Sequence, residues 1–235
     1  MHRRSGYRGW MPAELHDAAK AGPSAKTTRR VSRFWPVVSG LAALALVVGG
    51  GFLIMARAGA TEIDAEWMAE IVEHRSPFWR VPALAMNFLG GGWFATFVVP
   101  LLIIAILCVL RRFWAALFFA VATGLSVGLV QVLKQVMGRA RPLDQLVASD
   151  PGSFPSGHVA NAATMAAVLI LIFWRTWVWI AGVVYTVLMM LSRTYLGAHW
   201  LTDTLGGLLL GVAVAVIVWA PLANRLRRER PDPPA

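Results

Sequence analysis

The stretch that decides the fold runs from Pro155 to Asp203 and reads PSGHVANAATMAAVLILIFWRTWVWIAGVVYTVLMMLSRTYLGAHWLTD. It contains two uncharged runs, 16 residues at 159–174 and 17 residues at 176–192, and Arg175 is the charge between them. A helix needs about 20 apolar residues to cross the ~30 Å hydrocarbon core of a bilayer, so both runs are short for spans. We expect two antiparallel membrane helices whose polar outer ends lie on one face, at headgroup depth.

Four more uncharged runs flank this pair. The six runs are Phe34 to Ala56, Val81 to Leu110 (with Trp93 to Leu110 as its apolar part), Phe113 to Leu133, Val159 to Trp174, Thr176 to Ser192 and Thr204 to Asn224. Of the 235 residues, 57% are apolar and 14% charged, against about 45–50% and 25% in soluble domains. The sequence therefore predicts an all-α, polytopic membrane protein, a bundle of six transmembrane helices.

The composition also excludes several other classes of protein. The apolar excess rules out a disordered chain, a collagen and a coiled coil, and the single Cys108 rules out a disulfide-stapled secreted domain. A net charge of +10 is compatible with nucleic-acid binding, but that function needs the cations on one folded face. Here they gather at the ends of apolar runs, so we expect no nucleic-acid partner.

The basic residues set the orientation, because Lys and Arg in short loops mark the cytoplasmic side. With six spans both termini share a side, and that side holds 15 of the 22 Lys and Arg residues. We expect both termini in the cytoplasm, with flexible basic tails at 1–33 and 225–235 flanking a membrane domain at 34–224. A cleaved signal peptide is the alternative for the first run, but its 23 uncharged residues exceed the 7–15 of such a peptide.

The segment Thr61 to Ser76 has apolar residues at helical spacing with acidic residues between them. It is either a lid over a site on that face or an interfacial helix lying on the bilayer, and the second arrangement is the commoner one. The pairs Gly124-x3-Gly128 and Gly207-x3-Gly211 have the spacing of dimerising helices, but small residues at this spacing usually let helices pack within one bundle. We expect no obligate protein partner.

Three polar clusters fall on the face opposite the basic loops. They are Lys134, Arg139, Arg141 and Pro142; Pro155, Ser156, Gly157 and His158; and Ser192, Arg193, His199 and Asp203. Ionisable residues near bilayer depth are expensive and by default mark a functional site. The loop charges alone set the topology, so the location of all three clusters on one face is an independent check.

The first two clusters have the chemistry of an anion site. Lys134 and Arg141 are seven residues apart, so they share a face if the third helix continues, and Arg193 adds a third cation. Arginine offers a planar fork of donors and lysine a point charge, which suits an anion with several oxygens. Ser156 lies near a helix N-cap and Gly157 lets backbone approach a ligand, where free N–H groups bind phosphate readily.

The third cluster has the spacing of a nucleophile and its orienting group. Asp203 lies four residues after His199, so its carboxylate can reach one ring nitrogen and leave the other free as a nucleophile or base. It would fix the tautomer and favour the imidazolium form. Taken singly, each cation or histidine is typical of an interfacial flank residue, and we interpret Arg139 in this way. No Cys or third His joins the cluster, so no metal site is predicted.

The three clusters read Lys134-x6-Arg141-Pro142, Pro155-Ser156-Gly157-His158 and Ser192-Arg193-x5-His199-x3-Asp203. Together they resemble the three-part signature of the type 2 phosphatidic acid phosphatase superfamily. That superfamily also includes soluble bacterial acid phosphatases and vanadium haloperoxidases. The resemblance implies that His199 attacks phosphorus to give a phosphohistidine, that Asp203 orients it, and that His158 protonates the leaving oxygen. It assigns the phosphoryl oxygens to Lys134, Arg141, Ser156, the Gly157 backbone and Arg193, and it implies no cofactor.

We therefore expect an integral membrane lipid phosphatase whose partners are its lipid substrate and the bilayer. The substrate would be a lipid phosphomonoester or diphosphate, such as a polyprenyl diphosphate, phosphatidate or phosphatidylglycerol phosphate. The site would open on the outer or periplasmic face of a bacterial plasma membrane. A lipid phosphotransferase using the same histidine is the alternative. A transporter would carry polar residues through the bilayer, whereas these spans hold only scattered ones, such as Ser126, Gln131 and Asn161.

Overall fold

A computed structural model describes residues 25–57 and 59–229, without the side chains of 25–32. The described elements are α1 (Ala25–Ala56), α2 (Glu62–Glu73), α3 (Pro77–Gly90), a π-helical turn (Phe94–Val98), α4 (Val99–Val109), α5 (Phe113–Met137), α6 (Gly157–Phe173), α7 (Thr176–Tyr195) and α8 (Leu201–Arg228). The all-α prediction is confirmed for these residues. Residues 1–24 and 230–235 of the two predicted tails lie outside them. The rest of the tail prediction is wrong, because 25–33 belong to α1 and 225–228 to α8.

By its internal contacts the chain divides into residues 1–35 and 36–235. Within the first unit the described residues, 25–35, form the start of α1. The second unit contains the rest of α1 and every later element, including all the candidate site residues.

Four helices are long and apolar enough to cross a membrane, namely α1 from Arg33, α5, α7 and α8. The chain from Pro77 to Val109 meets the same criteria as one span bent by 48°, which raises the count to five. The 17 residues of α6 extend only about 25 Å, less than the hydrocarbon thickness. The six spans expected from the sequence stay a prediction.

The second uncharged run departs from the simple span expected of it. Instead of one helix with an apolar part at 93–110, α3 ends at Gly90 and a π-helical turn leads into α4. The break falls on three glycines, of which Gly92 adopts a left-handed φ of +62° that favours glycine. This break lies beside the candidate site, as described below.

Helix α6 packs against α5, α7 and α8, and its contact with α8 depends on two glycines. A Cβ at Gly207 would come within 2.5 Å of the Ser156 carbonyl oxygen, and one at Gly211 within 2.5 Å of the Ala160 carbonyl oxygen. This pair packs helices closely within the bundle, as the spacing predicts. For the other pair the same interpretation is wrong, because a Cβ at Gly124 or Gly128 would have nothing within 4 Å in the described part of the chain.

The two ends of the bundle differ in chemistry. At one end, the last turns of α5 and α7 and the first turn of α6 contribute Lys134, Arg193 and His158 to a common cavity. At the other end, the Glu229 carboxylate accepts hydrogen bonds from the first backbone N–H groups of α5, at 2.7 and 3.0 Å. A carboxylate there satisfies helix N–H groups that have no partner within the helix.

Candidate active site

The three polar clusters meet around a cavity of about 560 Å³. Helix α5 contributes Lys134, the loop after it Arg141, helix α6 Gly157 and His158, helix α7 Arg193, and the loop before α8 His199. Two other predicted site residues, Ser156 and Asp203, are fully buried at the start of α6 and α8. Their backbones are joined, because the Ser156 N–H donates to the Asp203 carbonyl oxygen at 3.0 Å.

His199 is buried and held in one orientation. Its Nδ1 lies 2.8 Å from the Ser153 carbonyl oxygen and 3.5 Å from Asp203 Oδ2. A carbonyl oxygen can only accept, so Nδ1 carries the proton and Nε2 keeps its lone pair. Burial lowers the pKa of the His199 imidazole from 6.5 to about 4, although Asp203 acts in the opposite direction. The ring is therefore neutral at neutral pH, the form a nucleophile needs.

The Asp203 carboxylate contacts His199 and is also hydrogen-bonded to the surrounding protein. Its Oδ2 accepts from the Trp200 N–H at 2.9 Å at the start of α8, and its Oδ1 accepts from Arg139 at 2.5 Å. Because both oxygens are engaged, the carboxylate has little freedom to rotate away from His199.

Arg141 reaches the cavity from a loop. Helix α5 ends at Met137 because Gly138 turns left-handed at φ +53°, so Lys134 and Arg141 do not share a continuous helix face. Backbone carbonyls hold the guanidinium: those of Asp150 at 2.8 Å, Gly152 at 3.0 Å and also Ala198. This places Nη1 3.3 Å from Nε2 of His199.

The side chains of Lys134, Arg193 and Ser156 have hydrogen-bond donors that no acceptor in the described residues uses. Among the described residues, the Lys134 side chain donates no hydrogen bond, and Arg193 donates from Nη1 to the Asn87 side-chain oxygen. The Arg193 Nε and Ser156 Oγ are buried without a hydrogen-bond partner in the described part of the chain. Buried donors without partners are costly, so this set suits a ligand rich in acceptor oxygens.

The break between α3 and α4 surrounds His158. A Cβ at Gly91 would overlap the His158 imidazole, so only glycine lets the backbone lie there. The backbone of Asn87 is a hydrogen-bond partner of the same ring, while the Asn87 side chain holds Arg193. Neither Gly91 nor Asn87 was predicted from the sequence, although the run of glycines within a span was a signal for Gly91.

The interpretation of Arg139 as an interfacial flank residue is wrong. The residue is 7% exposed and ion-paired on two sides, with Asp203 at 2.5 Å and with Asp64 of α2 at 2.6 Å. The physical reason is the left-handed turn at Gly138, which ends α5 and lets Arg139 pair with Asp203 at the start of α8.

One group in the described residues has metal-ligand spacing, formed by Glu70, Glu73 and His74. All three are exposed on α2, and none of them lines the cavity. The cavity itself is lined by the cations Lys134, Arg141 and Arg193 together with His199.

Three comparisons with known proteins agree with this arrangement. A model of the PAP2 superfamily matches residues 115–227. Phosphatidylglycerophosphatase B of Bacillus subtilis (strain 168) is 33% identical over 156 residues, which cover 61% of this chain and 75% of the relative. An undecaprenyl-diphosphatase of Sulfolobus acidocaldarius is 37% identical over 94 residues, covering 37% of this chain and 45% of the relative.

Among solved structures, the transmembrane PAP2-type phosphatidylglycerolphosphate phosphatase from Bacillus subtilis superposes with a TM-score of 0.69 at 28% identity. The match covers 82% of this chain and 99% of that one. The predicted resemblance is thereby confirmed, and its three motifs all fall within the residues that the family model matches. The chain belongs to the PAP2 superfamily and is a membrane phosphatase, a hydrolase of phosphoric monoesters or diphosphates.

Proposed function

We propose that the protein hydrolyses a lipid phosphomonoester or diphosphate through a phosphohistidine on His199. One observation carries this proposal: Nδ1 of His199 donates to Ser153 while Nε2 keeps its lone pair 3.3 Å from an arginine of the cavity. A neutral imidazole beside fixed cations is suited to attack on a phosphorus whose oxygens those cations hold.

In the first step, the His199 Nε2 lone pair attacks phosphorus and the bond to the leaving oxygen breaks. His158 gives its proton to that oxygen, while Ser153 and Asp203 stabilise the proton on Nδ1. In the second step, a water oxygen attacks phosphorus and the P–N bond breaks, returning the electron pair to Nε2. His158 accepts the proton of the water and is restored for the next cycle.

The phosphoryl oxygens are held by Lys134, Arg141, Ser156, the Gly157 backbone and Arg193. The unpartnered donors on Ser156 and Arg193 support this assignment. Phosphoryl transfer depends mainly on positioning and charge stabilisation, and guanidinium and ammonium groups supply both here. The proposal requires no cofactor or metal.

The lining of the cavity supports a lipid substrate. Besides the cations, it is lined by apolar side chains in and next to the α3–α4 break and on α5, including Phe88, Trp93, Phe97 and Val127. A phosphate at the cations would leave its hydrocarbon tail against these side chains. The names of the two relatives support phosphatidylglycerol phosphate and polyprenyl diphosphate as candidate substrates, and phosphatidate has the same phosphomonoester chemistry.

We further propose six spans, with the bent chain from Pro77 to Val109 as the second and α6 as a short fourth. Both termini are then cytoplasmic and the site faces the outside or periplasm of a bacterial plasma membrane. The placement of Arg111, Arg112 and Arg175 in the loops at the other end of the helices supports this orientation.

The orientation is tested with single cysteines after Cys108→Ser. A cysteine in the loop from Asp144 to Asp150 should react with an impermeant thiol reagent in intact cells, and one beside Arg111 should not. The reverse pattern of labelling would put the site in the cytoplasm.

The activity is tested by phosphate release from a panel of lipid phosphates by purified protein in detergent, with and without EDTA. We expect release from at least one lipid phosphomonoester or diphosphate, no loss in EDTA, and no release by His199→Ala. Transfer of the phosphoryl group to an added alcohol without phosphate release would favour the phosphotransferase, and a failure to act on any lipid phosphate would refute the proposal.

A further inference from the structure

Asp64 of α2 is a buried charge far from the three motifs in sequence. Its relative exposure is 0%, although its neighbours Ile63 and Ala65 are exposed. A buried carboxylate is costly unless it is paired and hydrogen-bonded. The residue also lies outside the region 115–227 that the family model matches.

The partners of Asp64 belong to the catalytic end of the bundle. Oδ1 accepts from the Thr202 backbone N–H at 2.9 Å, and Oδ2 accepts from the Thr202 hydroxyl at 2.8 Å and from Arg139 Nη2 at 2.6 Å. The Thr61 hydroxyl donates to Oδ2 at 2.8 Å. Burial acts to raise the pKa of the Asp64 carboxyl, but these hydrogen bonds outweigh it and hold the pKa below 3.8.

Arg139 joins this carboxylate to the one beside the histidine. Its Nη1 donates to Asp203 Oδ1 at 2.5 Å and to the Thr202 hydroxyl at 2.8 Å, while its Nη2 donates to Asp64 Oδ2. One guanidinium is thus shared by two buried carboxylates. If Asp64 lost its charge, Arg139 would neutralise Asp203 alone and weaken its attraction for a positive His199 ring.

The other end of α2 is fixed to the same region. Arg75 donates from Nε to the Tyr195 carbonyl oxygen at 3.1 Å and from Nη2 to the Asp144 carbonyl oxygen at 2.9 Å. The Ser76 N–H donates to the Tyr195 hydroxyl at 3.0 Å. Helix α2 is therefore held at both ends to the segments that flank His199.

We propose that Asp64 is a positioning residue for the phosphatase reaction, acting through Arg139 and Thr202 on Asp203 and so on the orientation and charge of His199. The inference depends on the proposed function, which makes His199 the nucleophile. If Asp64 only stabilised the fold, its replacement would lower stability and leave kcat and KM unchanged. A positioning role and a purely structural role can therefore be separated.

The test compares Asp64→Asn with Glu66→Gln, an exposed neighbour on the same helix, in the purified full-length protein. With one lipid phosphate as substrate, Asp64→Asn should lower kcat by about 10- to 100-fold with KM unchanged, the scale known for residues that orient a metal-binding histidine through hydrogen bonds. Glu66→Gln should behave as wild type. A wild-type kcat for Asp64→Asn would overturn the inference.

A double-mutant cycle separates action through Asp203 from a general disturbance. Added to Asp203→Asn, the change Asp64→Asn should cost little further activity, and fully additive losses would overturn the inference. If Asp64→Asn does not fold, Thr202→Val replaces it, since it removes the shared hydroxyl and keeps both charges. A lower kcat at constant KM then supports the inference, and an unchanged kcat overturns it. Wild type and His199→Ala are assayed alongside, because equal activity of these two would refute the proposed function instead.

Discussion

Nδ1 of His199 lies 2.8 Å from the Ser153 carbonyl oxygen and 3.5 Å from Asp203 Oδ2, so two acceptors share one ring proton. The closer acceptor belongs to the backbone, which no side-chain substitution removes. The tautomer that leaves Nε2 unprotonated, as the acceptor facing Arg141 Nη1 at 3.3 Å, therefore does not depend on the carboxylate alone. The carboxylate adds charge that stabilises the positive ring during the reaction.

Asp203→Asn should lower kcat and leave measurable activity. In serine proteases, loss of the orienting aspartate costs about 10⁴-fold because the tautomer is wrong. Here Ser153 still fixes the tautomer, so we expect a smaller loss of roughly 100-fold. Initial rates of phosphate release measure it, with His199→Ala as the inactive reference. Loss of all activity in Asp203→Asn with the fold intact would show that Ser153 does not hold the ring.

The pH profile should have its acid limb well below the ordinary histidine range. Burial lowers the pKa of His199 to about 4, so the neutral nucleophile persists as pH falls through 6.5 and is lost only near pH 4. The same shift makes the unfolded state bind more protons between about pH 4 and 6.5, so stability decreases as pH falls through that window. The pH profile of kcat/KM tests the position of the acid limb, and the melting temperature in detergent as a function of pH tests the change in stability. An acid limb at pH 6.5 would contradict the buried histidine.

Gly91→Ala should reduce turnover by disturbing His158. Gly91 has extended backbone angles, so alanine is not strained there, and the cost arises because its Cβ would overlap the imidazole. Displacement of a catalytic group by about 1 Å can cost roughly 100-fold in rate. Gly124→Ala is the matched control, since nothing lies within 4 Å of its Cβ and we expect wild-type turnover. Equal turnover by the two variants would contradict a role of the α3–α4 break in positioning His158.

Catalytic efficiency should rise with the length of the lipid tail among substrates that share one phosphate head. Each additional buried CH₂ contributes about 0.8 kcal/mol, roughly fourfold in affinity. A substrate lying against Phe88 and Phe97 gains this energy and glycerol phosphate does not. The measurement is kcat/KM in mixed micelles at matched bulk concentration. Equal values for glycerol phosphate and a long-chain phosphatidate would indicate a general phosphatase instead.

The shared location of the motif residues could be predicted from the sequence, because consecutive membrane helices run antiparallel. Lys134, His158, Arg193 and His199 lie near the ends of consecutive apolar runs, so alternating crossings bring them to one end of the bundle. Lys134 and Arg141 line the same cavity although the helix between them ends at Gly138, since the loop returns Arg141 to it.

The contacts that the sequence did not reveal join residues far apart in the chain. Asp64 meets Thr202 across 138 positions, and Asn87 meets Arg193 across 106. No periodicity links such pairs, because each depends on how a loop or a broken helix folds over its neighbours. The spacing of the apolar residues from Thr61 to Ser76 predicts a helix at the surface, but it does not tell which acidic residue is buried.

The central claim, that His199 carries the phosphoryl group, is tested most directly by trapping the intermediate. Wild type, His199→Ala and Asp64→Asn are mixed with a lipid phosphate labelled in its terminal phosphoryl group, quenched rapidly in alkali and digested. We predict an acid-labile, alkali-stable label on the peptide that contains His199, present in wild type and absent from His199→Ala. Label on another residue, or labelled protein from His199→Ala, would contradict the account.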